Sequence, residues 1–234
     1  MSQAETRTHK ATDEVLYEVS AHIATITFNC PDRMNTISGP MLNALTELLL
    51  KADRDPDVRC IILTGRGRAF CAGLDLRGAS SGSTGLSGTS TATDIDLRAT
   101  PPTVLFNLGT PTICAMNGSA AGYGMDMALG CDIRIMAESA KMAAAFTKRG
   151  IVPESGGTWL LPRLIGWSKA AEIAANAPLA VQASKRLMRM GLSEGFDEHV
   201  HHVFLQLLPL LKSADALEGM MAFMEKRPAE FKGR

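Results

Sequence analysis

Two glycine-bearing turns are the segments of this chain best suited to chemistry. The first is Ala69-Phe70-Cys71-Ala72-Gly73-Leu74-Asp75-Leu76, and the second is Asn117-Gly118-Ser119-Ala120-Ala121-Gly122-Tyr123-Gly124. Each follows an apolar run that reads as a buried strand, and the second also opens a helix. Small residues let a ligand approach the backbone, and a helix N-terminus carries partial positive charge. Two N–H groups from such turns, aimed at one point, would stabilise an oxyanion as it forms. The same glycines would also serve if they did nothing more than permit tight turns.

Other suggestive spacings fail. Gly122-Tyr123-Gly124 has Met127 where a dinucleotide-binding turn needs its third glycine. No Gly-Lys-Ser/Thr phosphate loop occurs. Gly78-Ala79-Ser80-Ser81-Gly82 matches a nucleophile elbow by letter, without the strand and helix that an elbow needs. His199, His201 and His202 lack an HExxH pattern and a nearby cysteine, so they read as a solvated helix face and no metal is expected.

The elements that must position the two turns follow from apolar patterning. Val15 to Phe28 alternates as a hairpin. Ser38 is placed to cap a helix with Pro40 in its first turn, and Leu42, Leu45, Leu48 and Leu49 fall on one face of it. Val58 to Leu63 reads as a strand buried on both faces, Thr112 to Met116 as a second strand and Cys131 to Met136 as a third. A helix is expected over Leu97 to Leu108, and another from the Gly122 turn through Leu129. Asp132 reads as structural. From Thr158 onward the pattern is mostly helical, and the first ten or so residues read as a frayed tail. From Gly78 to Asp94, 13 of 17 residues are Gly, Ser or Thr, which predicts a mobile loop. Apolar strands alternating with helices indicate an α/β core.

Composition narrows the partners. Lys plus Arg number 24 and Asp plus Glu number 24, so there is no basic footprint for nucleic acid. The 5 cysteines are scattered, with no CxxC pair, and sit mostly in apolar surroundings. Buried free thiols in a reducing cytosol are expected. No apolar run approaches a membrane span, and Met1 to Arg7 carries no apolar signal segment. A cytoplasmic protein with no membrane partner is the expectation.

Taken together, the motifs resemble the enoyl-CoA hydratase/isomerase (crotonase) family. The matching text is Cys60-Ile-Ile-Leu-Thr-Gly65, Ala69 to Leu76, Pro111 to Gly118, Ala121-Gly-Tyr-Gly124 and Gly130-Cys-Asp-Ile133. It continues through Gly150-Ile-Val-Pro-Glu-Ser-Gly-Gly157, Leu160 to Gly166, Ala177-Pro-Leu-Ala180 and Phe223-Met-Glu-Lys-Arg227. The resemblance implies an α/β core of repeated ββα units over residues 1–172 and a helical trimerisation region over 173–234. It implies homotrimers or hexamers, an acyl-CoA substrate and a place in fatty acid metabolism. No cofactor is implied beyond the coenzyme A of the substrate. The oxyanion amides would be those of Leu74 and Tyr123. The carbonyls of Ala72, Leu74 and Leu76 would line an adenine pocket, Arg33 and Arg77 would hold CoA phosphates, and Phe223 and Lys226 would reach the CoA of a neighbouring subunit. For these basic residues, solvated surface charge is the competing reading.

The chain also departs from the family. Hydratase members use two glutamates. Asp126 stands at the first, with a reach shorter by about 1.5 Å, and Phe146 at the second, where it cannot do acid–base work. Glu154, between Pro153 and Ser155-Gly156-Gly157, is the other candidate for moving protons, as in isomerase-like members; a helix-capping carboxylate is its competing role. After Glu172 a block of helix, strand and helix usual in the family is absent. The leading expectation is an enoyl-CoA hydratase or isomerase using Glu154, Asp126 or both. The alternative is a crotonase-fold protein that binds CoA esters without turnover.

Overall fold

The structure, a computed structural model, describes residues 7–75, 99–153, 155–173 and 177–233. Leu76, Arg77, Glu154 and the Gly/Ser/Thr-rich stretch 78–94 lie outside the described residues. The chain forms two compact units, Met1–Met142 and Ala143–Arg234. The division falls well before the expected 172/173, because α4 (Gly157–Ile165) packs against α6 (Pro178–Met190) in the second unit.

The first unit is built on a six-stranded sheet of order β1-β2-β3-β4-β6-β8. Its strands are β1 (Arg7–Thr12), β2 (Val15–Ser20), β3 (Ile23–Phe28), β4 (Cys60–Gly65), β6 (Thr112–Met116) and β8 (Ile133–Met136). β1, β2 and β3 are antiparallel, whereas β3, β4, β6 and β8 run parallel. Residues 7–12 are thus a strand, not the frayed tail expected. Its pairing uses main-chain groups along the edge of β2, which polar side chains do not betray.

A second sheet has order β5-β7-β9, from β5 (Ala69–Cys71), β7 (Ser119–Ala121) and β9 (Met142–Ala143). β4 leads into β5, β6 into β7 and β8 into β9. The first strand of each pair joins the large sheet and the second joins the small one. With α3 (Tyr123–Gly130) following β7, this matches the ββα units that the resemblance implies. β4 is buried through Ile61 and Leu63 and only half-buried at Cys60 and Ile62, so one face is sealed rather than both.

α1 (Gly39–Arg54) forms where the sequence predicts. Ser38 Oγ accepts from Met41 N at 3.3 Å, Pro40 sits in the first turn, and Asp55 ends the helix. Met41, Leu45, Leu48 and Leu49 join Ile26, Phe28, Ile61 and Phe70 in the core. Each such side chain contributes about 1.5–3 kcal/mol through burial. The helix at 97–108 is shorter than expected, as α2 (Pro101–Asn107). Asp132 Oδ2 accepts from both the N and the Oγ1 of Thr112 at 2.7 Å, tying β8 to β6 as the structural reading required. All five cysteines are free thiols.

The second unit is helical: α4, α5 (Trp167–Ile173), α6, α7 (Phe196–Leu211) and α8 (Ala214–Glu225). Val152, Ala183, Leu187, Val203, Leu207 and Leu210 form its core. Asp215 accepts from the backbone N–H groups of Lys232 and Gly233, at 2.7 and 2.9 Å, and so folds the chain back on α8. No described helix is long and apolar enough to cross a membrane.

Candidate active site

β5 and β7 lie side by side and parallel, Ala69 opposite Ser119 and Cys71 opposite Ala120. The two glycine turns therefore leave the small sheet at the same end. They touch. A Cβ on Gly73 would stand 2.9 Å from Ala121 O and 3.6 Å from Tyr123 N. A Cβ on Gly124 would stand 2.3 Å from Cys71 O. Only glycine permits this approach at either position.

Hydrogen bonds fix which way the amides point. Ala72 N donates to Met34 O (3.0 Å), Ile37 N to Gly73 O (2.8 Å) and Asp75 N to Ile37 O (2.9 Å). In a trans peptide the C=O and N–H point oppositely. With Gly73 O turned to Ile37, Leu74 N–H is turned away from it, and among the described residues that N–H has no hydrogen-bond partner. On the other turn, Gly122 O accepts from Met125 N (2.8 Å) and Asp126 N (3.2 Å). Tyr123 N–H then points out of the N-terminus of α3, where its own helix offers no acceptor. Burial pushes the neighbouring Cys71 thiol up to about 12, which keeps it protonated.

Two amide side chains hold the loop before β5, one buried and one at the surface. Asn35 is fully buried. Its Nδ2 donates to Arg66 O (2.9 Å) and Ala69 O (2.8 Å), and its Oδ1 accepts from Cys30 N (2.8 Å). Asn117 Nδ2 donates to Gly67 O (2.8 Å), and its Oδ1 accepts from Gly65 N (3.1 Å). The glycines announce the turns in the sequence, whereas nothing there announces Asn35.

Asp126 sits in the first turn of α3 and exposes no surface. Arg33 is half-buried, with its guanidinium 2.6 Å from Glu14 Oε1 and 3.3 Å from Asp75 Oδ2. A phosphate reaching Arg33 would compete with two carboxylates. Ala72 lies in the first turn, and its N–H is committed to Met34.

Phe223 and Lys226 belong to the second unit. Phe223 is 55% exposed on α8, with the Arg149 guanidinium 4.2 Å over its ring. It walls a groove of about 430 Å³ together with Lys148, Arg149, Arg227 and Phe231. Lys226 caps α8 in a left-handed conformation, φ 55°.

The expected solvated histidine face is corrected at His199, which is fully buried. The spacing of Phe196, Val200, Val203 and Leu207 puts His199 on the apolar stripe of α7, a signal open to sequence reading. Its Nε2 lies 2.8 Å from Thr158 Oγ1 and its Nδ1 2.5 Å from Glu194 Oε1.

This geometry has relatives. The family model for enoyl-CoA hydratase/isomerase matches residues 18–194. The chain belongs to this family. The 1,2-epoxyphenylacetyl-CoA isomerase of Escherichia coli is 44% identical over 165 residues, covering 68% of this chain and 61% of that protein. The chain thus matches about three-fifths of that relative. The carnitinyl-CoA dehydratase of Proteus mirabilis is 33% identical over 248 positions, covering 86% of this chain and 92% of that protein. A carnitinyl-CoA hydratase structure from Mycobacterium avium superposes with a TM-score of 0.70 at 29% identity, covering 95% of this chain and all of that one.

Since 86% of 234 residues is about 201, about 47 of the 248 positions aligned with the Proteus enzyme face gaps in this chain. These gaps leave the matched part of this chain shorter than that of the Proteus enzyme. The expected join, near Ile173, borders residues 174–176, which lie outside the described residues.

Proposed function

We propose that this chain acts on acyl-CoA thioesters as an enoyl-CoA hydratase or isomerase. The amides of Leu74 and Tyr123 form the oxyanion hole. The observation that carries this reading is the contact between the two turns, with Tyr123 N 3.6 Å from the place a Gly73 Cβ would take.

When the α-carbon of a thioester loses a proton, or its β-carbon gains water, the carbonyl oxygen takes up the charge of an enolate. Two preorganised donors favour that charge, and losing one costs about 10²–10³ in rate. A carboxylate must then move the proton. Isomerisation takes it from the α-carbon and returns it at the γ-carbon; hydration adds hydroxide at the β-carbon and a proton at the α-carbon. Asp126 and Glu154 are the carboxylates assigned to this work. Phe146 stands where a second hydratase glutamate belongs, which favours isomerisation, while relatives named as hydratases favour the other reaction.

The CoA moiety is assigned to the carbonyls of Ala72, Leu74 and Leu76 at the adenine, and to Arg33 and Arg77 at the phosphates. Phe223 and Lys226 are assigned to the CoA of a neighbouring copy in a homotrimer or hexamer. No other cofactor is invoked, and the setting is cytoplasmic fatty acid metabolism. Relatives named as catalysts speak against binding without turnover.

Assay of the purified chain with crotonyl-CoA and a 3-enoyl-CoA tests the reading. Glu154→Gln is expected to slow turnover at least about tenfold. An unchanged rate removes Glu154 from the mechanism, and no turnover of any enoyl-CoA ester by the wild type defeats the enzymatic reading.

A further inference from the structure

The first turn of α4 is gripped by the segment 191–202. Gly156, the N-cap of α4, has φ 90°, and a Cβ there would stand 2.6 Å from the Phe196 ring. Trp159 Nε1 donates to Glu194 O (3.2 Å), and the Trp159 ring meets Phe196 edge-on at 5.3 Å. Arg163 stacks its guanidinium 3.6 Å over Trp159 and donates to Gly191 O.

At the centre of this grip is a chain of four side chains. A carboxylate only accepts, so His199 Nδ1–H donates to Glu194 Oε1 at 2.5 Å. Neutral Nε2 then accepts the Thr158 hydroxyl proton at 2.8 Å. Glu194 Oε2 accepts from His202 Nδ1 at 2.7 Å. His199 and Thr158 are buried, whereas His202 is part-exposed. The charged and titratable groups around His199 are Glu194, His202 and Arg163, with Glu198 beside Glu194 and His202. Hydroxyl, imidazole and carboxylate are in line, but the hydroxyl is buried, so the line holds position rather than attacking anything.

We propose that His199 is a positioning residue, fixing the first turn of α4 through Thr158, four residues after Glu154 in sequence. This deepens the enzymatic reading and rests on it. Glu154 lies two residues before the N-cap in sequence, and a misplacement of about 1 Å at a reacting group can cost about 10²-fold in rate. The imidazole stays neutral in this role, since protonation would turn Nε2 into a donor facing the Thr158 oxygen.

The test pairs kinetics with amide hydrogen exchange on the full chain. Thr158→Val keeps the shape and removes the hydroxyl. It is expected to lower kcat about 10–100-fold with KM within about twofold, and to speed exchange at residues 157–161 but not in α1. Thr158→Ser is expected to restore both. His199→Asn, which reaches Glu194 but not Thr158, should behave like Thr158→Val. His199→Gln, whose amide oxygen can accept from Thr158, should keep kcat within about threefold. Unchanged exchange in Thr158→Val, or unchanged kcat in an active enzyme, overturns the proposal. A wild type without turnover defeats the enzymatic reading and the catalytic half of this one, while exchange still decides whether His199 anchors α4.

Discussion

The turn pair of the first unit and the first turn of α4 in the second both hold a backbone segment still, by different means. At the turns the contacts are main chain against main chain, reinforced by the neutral amides of Asn35 and Asn117. At α4 the grip runs through His199, Glu194, His202 and Arg163, all of which carry charge or can acquire it. The first arrangement has nothing to titrate near neutrality. The second changes its hydrogen-bond roles when a proton arrives. The pair of donors is thus built as a constant of the molecule, and the α4 anchor as a condition that pH can remove.

The largest expected effect falls on the constant part. Gly124→Ala puts a methyl group 2.3 Å from the backbone O of Cys71, and since a Cβ is fixed to its own backbone the two main-chain segments must then separate. Moving one turn off the other would withdraw one of the two amides proposed for the oxyanion hole. Turnover is expected to fall about 10²–10³-fold by the same factor at every pH between 6 and 9. Steady-state kinetics across that range check it. A loss confined to one limb of the profile breaks the contrast between the two regions.

The next effect belongs to the α4 anchor and concerns stability. Burial holds the His199 pKa below its ordinary value near 6.5, against the opposing pull of Glu194. The unfolded chain then binds a proton that the folded chain refuses. Stability is full above about pH 6.5, falls as pH drops through the window between the unfolded and folded values, and levels off below the folded one. Denaturant titrations of wild type and His199→Gln should diverge in that window, with the variant less acid-sensitive. Parallel curves would show that His199 does not carry the pH dependence of the second unit.

The same contrast explains what was legible beforehand. The glycine turns could be read because backbone contacts demand a residue type: Gly73 and Gly124 stand where any Cβ collides. The Ser38 cap, the strand Thr112–Met116 and the helix after Gly122 could be read because each depends on local chemistry or period. β1 could not, since its pairing partner, not its own side chains, makes it a strand. His199 was misjudged as solvated because a polar residue on an apolar stripe is buried only if partners arrive from elsewhere. Those partners are Thr158, 41 residues away, and Glu194 in the loop before α7. Asn35 was missed for the same reason, its acceptors Arg66 O and Ala69 O lying 31 and 34 residues away in sequence.

The smallest effect comes from an element outside both regions. Ser38 Oγ accepts from Met41 N (3.3 Å) at the start of α1 and donates to Glu14 Oε2 (2.7 Å), whose other oxygen holds Arg33. Ser38→Ala removes the cap and should cost about 1 kcal/mol of stability. α1 touches neither turn through Ser38, so turnover at a temperature well below unfolding should stay within about twofold of wild type. A large drop in kcat/KM would mean that Arg33, released with Glu14, bears on the substrate. The phosphate role assigned to Arg33 would then gain weight against its reading as an internal ion pair. A rise in KM for CoA esters with kcat preserved is the form that result would take, because a binding contact outside the reacting atoms contributes equally to ground and transition states.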